Sequence, residues 1–178
     1  LSILTEERHF LGALEHIKEV KKEVSLPVLC KDFFLESYQV HLAKSFGADA
    51  VLIILSVVDE NIAQEIYETA EKLNMSTIIE IHTEKEAKIA LKFKNSIIGI
   101  NNRNLKTLET SIETTFDLYK ILGEHSGLLL CESGIKSGKD VSDVVQKTGI
   151  KNFLIGESLL KNFGKKSNLL KEILKIDR

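Results

Sequence analysis

Short runs of consecutive apolar residues recur along the chain, and between them lie longer stretches whose apolar residues return every third or fourth position. The runs of strand length are Leu1–Leu4, Pro27–Cys30, Ala50–Leu55, Thr77–Ile81, Ile97–Ile100, Leu128–Cys131 and Phe153–Ile155. The stretches between and after them predict amphipathic helices over Leu11–Val24, Ser37–Phe46, Glu60–Leu73, Glu84–Phe93, Ile112–Leu122, Lys139–Lys147 and Asn168–Leu174. Regular alternation of strand and helix is the signature of β–α units built around a parallel sheet. The strand runs are apolar on consecutive positions, as in Val51-Leu52-Ile53-Ile54-Leu55, which is the pattern of strands covered on both faces.

Some element ends carry their own signals. Ser37 ahead of one helix and Gly47 behind it predict an N-cap and a left-handed terminator. Thr83 with Glu86 three residues on predicts a capping box. Strands recur every 20 to 30 residues, the chain holds a single proline, and no Pro/Gly-rich linker interrupts it, so residues 1–178 read as one domain. Seven such units fall one short of a closed eight-stranded barrel. An open doubly wound sheet is the alternative, but neither G-x-G-x-x-G nor G-x-x-x-x-G-K-[ST] occurs.

Composition narrows the partners. The 178 residues are 43% hydrophobic and 28% charged, enough for one substantial core. A formal net charge of −2 gives no basic field for nucleic acid or anionic lipid, so a small-molecule ligand fits better. Cys30 and Cys131 sit far apart inside apolar runs and read as reduced, buried thiols. No apolar stretch reaches the roughly 20 residues of a membrane span, and no leader with a cleavage site is recognisable, so a soluble cytoplasmic protein without membrane association is expected. The chain opens at Leu1, inside an apolar run that reads as the tail of a strand, and looks truncated.

Polar and ionisable residues recur at the ends of the strand runs: Lys31, Glu80, Asn101, Arg103, Glu132 and Ser133. In a parallel barrel these ends converge on the face that holds the active site. A lysine or glutamate beside a strand core is costly to bury alone, so it is either paired at the barrel rim or used with a shifted pKa. Repetition around the sheet favours use. Glycines complete the pattern, Gly134 after the sixth run and Gly156 after the seventh, each ahead of a helical stretch. Bare backbone N–H groups at such places suit a phosphate. The competing anion surface is Lys165-Lys166.

Six segments resemble, in order and spacing, the indole-3-glycerol-phosphate synthase family: Leu-Pro-Val-Leu-Cys-Lys-Asp-Phe (26–33), Gly-Ala-Asp-Ala-Val-Leu (47–52), Ile-Glu-Ile-His (79–82), Ile-Gly-Ile-Asn-Asn-Arg-Asn-Leu (98–105), Glu-Ser-Gly-Ile (132–135) and Phe-Leu-Ile-Gly-Glu-Ser-Leu (153–159). The resemblance implies a (β/α)8 TIM barrel that here lacks the first strand–helix unit and part of the second strand. It implies a carboxy-lyase of tryptophan biosynthesis, closing the indole ring of 1-(2-carboxyphenylamino)-1-deoxyribulose 5-phosphate with loss of carbon dioxide and water. No metal or organic cofactor is implied.

By that similarity Lys31 is the general acid at the ribulose carbonyl. Glu80 handles protons in the dehydration, its pKa raised if Ile79 and Ile81 shield it. Asn101 and Arg103 orient substrate, Arg103 through its carboxylate, and Ser133 bonds a substrate hydroxyl. Phosphate is expected on the backbone around Gly134, Ile135, Gly156 and Glu157. Phe10, Leu29, Phe33 and Leu52 match positions enclosing the aromatic ring and read equally well as core, and Asp32 reads as structural. The family's first strand also carries a glutamate and a lysine two residues apart, which are expected to be missing here. The rivals are another phosphate-binding barrel such as phosphoribosylanthranilate isomerase, disfavoured by Lys31 and the Asn-Asn-Arg run, and an inactive fragment that binds a phosphorylated ligand. Open strand edges are expected to permit self-association.

Overall fold

The computed structural model describes residues 1–123, 125–161 and 168–176. Lys165 and Lys166 lie outside them. Seven strands, β1 (Ser2–Leu4), β2 (Leu29–Lys31), β3 (Ala50–Ile54), β4 (Ser76–Ile81), β5 (Ile97–Asn101), β6 (Leu129–Glu132) and β7 (Asn152–Leu154), form one sheet in the order β1 to β7. Every neighbouring pair is parallel. The strands alternate with α1 (Glu7–Phe10), α2 (Glu15–Glu23), α3 (Tyr38–Ser45), α4 (Glu60–Lys72), α5 (Glu84–Ala90), α6 (Glu113–Leu122), α7 (Gly138–Thr148), α8 (Glu157–Leu160) and α9 (Asn168–Leu174).

Side chains alternate across each strand, and the apolar residues divide accordingly into two clusters. Cys30, Val51, Ile53, Ile79, Ile81, Ile98, Ile100 and Cys131 pack outward with the helices. Leu29, Leu52, Ile54 and Ile78 pack on the inner face, with Phe33, Ala50, Ile97 and Leu130 against them. The continuous apolar runs are thereby explained: one face of each strand meets helices and the other meets the interior. Among the described residues β1 and β7 pair only with β2 and β6, so a gap separates these two outer strands. Both cysteines are free and buried. Among the described residues no helix is long and apolar enough to cross a membrane.

The helix ends correct two expectations. Ser37 itself has helical backbone angles and its hydroxyl makes no cap bond. Gly47 does take the left-handed conformation, at φ 97°. Thr83 accepts from the Glu86 N–H, but the Glu86 carboxylate returns to the N–H of His82, not of Thr83, so half of the box forms. The complete reciprocal box lies elsewhere, between Ser137 and Asp140 at the start of α7.

Candidate active site

The period of two that places Leu29, Ile78 and Leu130 inside carries the next inward positions to Lys31, Glu80 and Glu132 at the C-terminal ends of β2, β4 and β6. They meet there. Lys31 Nζ lies 3.2 Å from Glu80 Oε2 and 3.7 Å from Glu132 Oε2. Glu80 Oε1 accepts from Asn101 Nδ2 at 2.9 Å, and Asn101 Oδ1 accepts from the Arg103 N–H at 3.0 Å. His82 stands one inward position above Glu80, its Nε2 3.4 Å from Glu80 Oε1 and its Nδ1 3.5 Å from Glu86 Oε2.

Glu80 and Glu132 are each 1% exposed, and two carboxylates this close to one cation cannot both carry charge cheaply. Burial, reinforced by the charge on Glu80 and opposed by Lys31, pushes the Glu132 carboxyl up to about 8. Burial acts to lower the Lys31 ammonium, but Glu80 and Glu132 more than offset it and the net displacement is upward. The cluster therefore holds a cation beside a carboxyl group that keeps its proton near neutrality.

Room for Glu132 comes from the neighbouring strand. A Cβ on Gly99 of β5 would fall 2.1 Å from Glu132 Oε1, so only glycine leaves space for that carboxyl. Glu132 stood out in the sequence as a polar strand end but received no role. Its burial opposite a glycine was the signal that could have assigned one. Ile79 and Ile81, expected to shield Glu80, instead face the helices.

Lys31, Glu80, His82, Asn101 and Glu132 line a cavity of about 2600 Å³ that also reaches β1 and β7 through Leu1, Leu4, Phe153 and Leu154. Arg103 lies on its rim, where it donates to the Leu108 carbonyl at 3.1 Å and pairs with Glu157 Oε2 at 2.5 Å. Glu157 also pairs with Lys161, and these two partners hold its carboxyl low. Ser133 and Gly134 both have left-handed φ, 61° and 75°, and both line the cavity. Gly156 is the N-cap of α8 at φ −111° with open space where a Cβ would stand, so its backbone does not itself demand glycine.

Of the positions matched to an aromatic ring, Phe10, Phe33 and Leu52 line the cavity, Phe10 being 52% exposed on α1. Leu29 belongs to the inner apolar layer beneath Lys31 and does not line it. Ile135 is packed in the outer core, leaving its backbone for ligand contact; its carbonyl already accepts from Ser158 Oγ. Asp32 ties β1 to the end of β2, accepting from Thr5 Oγ1 at 2.6 Å and from the Phe33 N–H at 2.8 Å. Among the described residues no group of three or more His, Cys, Asp or Glu side chains is placed to hold a metal ion.

A family model described as indole-3-glycerol phosphate synthase matches residues 1–172. The chain belongs to the indole-3-glycerol phosphate synthase family. Within that family, an indole-3-glycerol phosphate synthase of Endomicrobium trichonymphae is 40% identical over 162 residues, covering 91% of this chain and 62% of the relative. One from Lachnoclostridium phytofermentans is 40% identical over 166 residues, covering 93% and 60%. The tryptophan biosynthesis protein TrpCF of Buchnera aphidicola is 41% identical over 172 residues, covering 95% and 37%. The chain thus spans less than two thirds of the length of these family members.

Solved structures agree on the fold alone. A 3-hexulose-6-phosphate synthase from Salmonella typhimurium superposes with a TM-score of 0.79 at 14% identity, covering 97% of this chain and 83% of the other. A tryptophan synthase α-subunit variant from Pyrococcus furiosus gives 0.67 at 18%, covering 92% and 69%. The seven-stranded parallel sheet is accordingly a (β/α)8-type barrel wall that does not close on itself.

Proposed function

We propose that this chain supplies most of the active site of an indole-3-glycerol-phosphate synthase, acting on 1-(2-carboxyphenylamino)-1-deoxyribulose 5-phosphate in the cytoplasm. The observation that carries the reading is the Lys31–Glu80–Glu132 cluster at the mouth of the barrel, flanked by Asn101. Lys31 donates its proton towards the ribulose carbonyl oxygen as the ring carbon of the anthranilate attacks, stabilising the negative charge that develops there. Decarboxylation restores the aromatic ring. Loss of water then needs a proton for the departing hydroxyl and an acceptor for the proton left behind. Glu132, protonated near neutrality, suits the first role, and Glu80, whose oxygens already accept from Lys31 and Asn101, suits the second.

Arg103 is the partner for the substrate carboxylate, which would take the place of Glu157 on the guanidinium. The Ser133–Gly134 turn and the backbone at Gly156 and Glu157 would receive the phosphate, with the Ser133 hydroxyl on a substrate hydroxyl. Phe33, Leu52 and Phe10 would enclose the aromatic ring. No cofactor enters this scheme. The test is fluorescence-monitored formation of indole-glycerol phosphate by the chain extended to its relatives' full length, with and without Lys31→Met. Turnover that falls at least about a hundredfold in the variant supports the assignment. Near-normal turnover would transfer the acid role to another lysine, and a folded, extended wild type without turnover would overturn the activity.

A further inference from the structure

Asn101 and Asn102 are adjacent in sequence but serve opposite faces of β5. Asn101 points inward to Glu80, whereas Asn102, 2% exposed, lies behind the sheet against Thr115 of α6. Its Oδ1 accepts from both the N–H and the hydroxyl of Thr115, at 3.1 and 2.9 Å, which fills both lone pairs. Its Nδ2 shares two hydrogens among the Glu132 carbonyl at 3.0 Å, the Ser133 carbonyl at 3.3 Å and Cys131 Sγ at 3.3 Å. The Asn102 backbone N–H also donates to the Glu132 carbonyl, at 2.9 Å. One side chain therefore joins β5, β6 and α6, and its amide cannot flip without breaking bonds on both sides.

The peptide group is planar and trans, so its C=O and N–H point in opposite directions. Fixing the Ser133 carbonyl on Asn102, behind the turn, turns the Gly134 N–H the other way, towards the cavity that Ser133 and Gly134 line. That N–H donates to no protein group among the described residues. The turn is also strained, with Ser133 in the left-handed region that a residue bearing a Cβ rarely adopts, and Asn102 packs directly beneath it: a Cβ on Gly134 would stand 3.2 Å from Asn102 Cβ.

We propose that Asn102 is a positioning residue that holds the Ser133–Gly134 turn in its left-handed form and so aims the Gly134 N–H at a bound phosphoryl group. The inference rests on the phosphate reading given above. It makes the second asparagine of the Asn-Asn-Arg run a determinant of ligand binding through the turn it holds. The Gly156 side of the phosphate site, at the start of α8, shares no hydrogen bond with the Asn102 side chain among the described residues and serves as an internal control.

The experiment is a titration of the ¹⁵N-labelled chain with inorganic phosphate, following the Gly134 and Gly156 amide resonances, in wild type, Asn102→Ala and Thr115→Val. In the wild type both amides should respond. In Asn102→Ala the dissociation constant should rise about tenfold, the Gly134 response should vanish and the Gly156 response should persist. General loosening of the fold would affect both glycines, so this split separates positioning from mere stability. If Asn102→Ala does not fold, Thr115→Val, which keeps the volume and removes one bond to the amide, must still weaken the Gly134 response selectively. An unchanged Gly134 response, or equal loss at both glycines, overturns the positioning role. A wild type in which neither amide responds overturns the phosphate reading itself, and the inference with it.

Discussion

Glu132 shows how one buried side chain can set both chemistry and stability. Its carboxyl rises to about 8 in the fold from the 4.5 of an ordinary glutamate. A group whose folded pKa is raised contributes stability that is complete below the unfolded value and is lost as pH rises through the folded one. The affected window is therefore pH 4.5 to 8. Wild type should lose on the order of 1–3 kcal/mol across it, read as a falling denaturation midpoint, while Glu132→Gln, which keeps the shape without the ionisation, should show a flat profile there. Parallel profiles for the two proteins would place the proton elsewhere.

Lys31 matters to the fold as well as to the chemistry. Its removal leaves two carboxyls nine-tenths or more buried without their cation, which should destabilise the chain by roughly 2–4 kcal/mol at pH 8 and by much less at pH 5. Denaturant titrations at the two pH values measure the difference. Equal losses at both would mean that Lys31 contributes packing rather than charge.

At the scale of elements, most of the fold was legible. All seven strands stand where the apolar runs put them, because a strand buried on both faces needs no periodicity to be seen. The short helices α1 and α8 had no such signal: four residues are barely one turn, too few for a 3.6-residue repeat to register. The start of α7 was legible in principle, since Ser137-x-x-Asp140 has the spacing of a capping box, yet the expected helix began one residue late. Strand ends gave Lys31, Glu80 and Asn101 because polarity next to an apolar run is a local property. The Arg103–Glu157 pair, spanning 54 residues, and the role of Gly99 depend on which strands become neighbours, which no local pattern carries.

Gly99 supplies the test at this scale. Gly99→Ala should fold, since strand backbone accommodates a Cβ, but the new methyl group must push the Glu132 carboxyl off its place beside Lys31. Turnover of the extended enzyme should fall at least about tenfold with KM changed little, because no group assigned to substrate binding moves. A crystal structure of the variant with Glu132 undisturbed, or full activity, would show that the glycine is incidental.

For the whole molecule, the decisive feature is the gap between β1 and β7. Among the described residues, each of these outer strands presents one row of backbone N–H and C=O groups that no neighbouring strand satisfies, and the cavity reaches the gap through Leu1, Leu4, Phe153 and Leu154. Unpaired edges recruit other chains, and an unclosed barrel leaves its active site open to water on one side. We therefore expect the 178-residue chain to self-associate with rising concentration and to turn over at least about a hundredfold more slowly than a version extended to its relatives' full length. Ligand binding should be less affected, since both turns assigned to the phosphate, Ser133–Gly134 after β6 and Gly156–Glu157 after β7, are present in the chain. Light scattering over a hundredfold concentration range, phosphate titration and the indole-glycerol phosphate assay on both versions measure the three parts separately. A chain that stays monomeric and matches the extended version in turnover would show that the seven-stranded wall is a sufficient enzyme. Loss of phosphate binding together with turnover would mean that closure of the wall shapes the anion site as well as the chemistry.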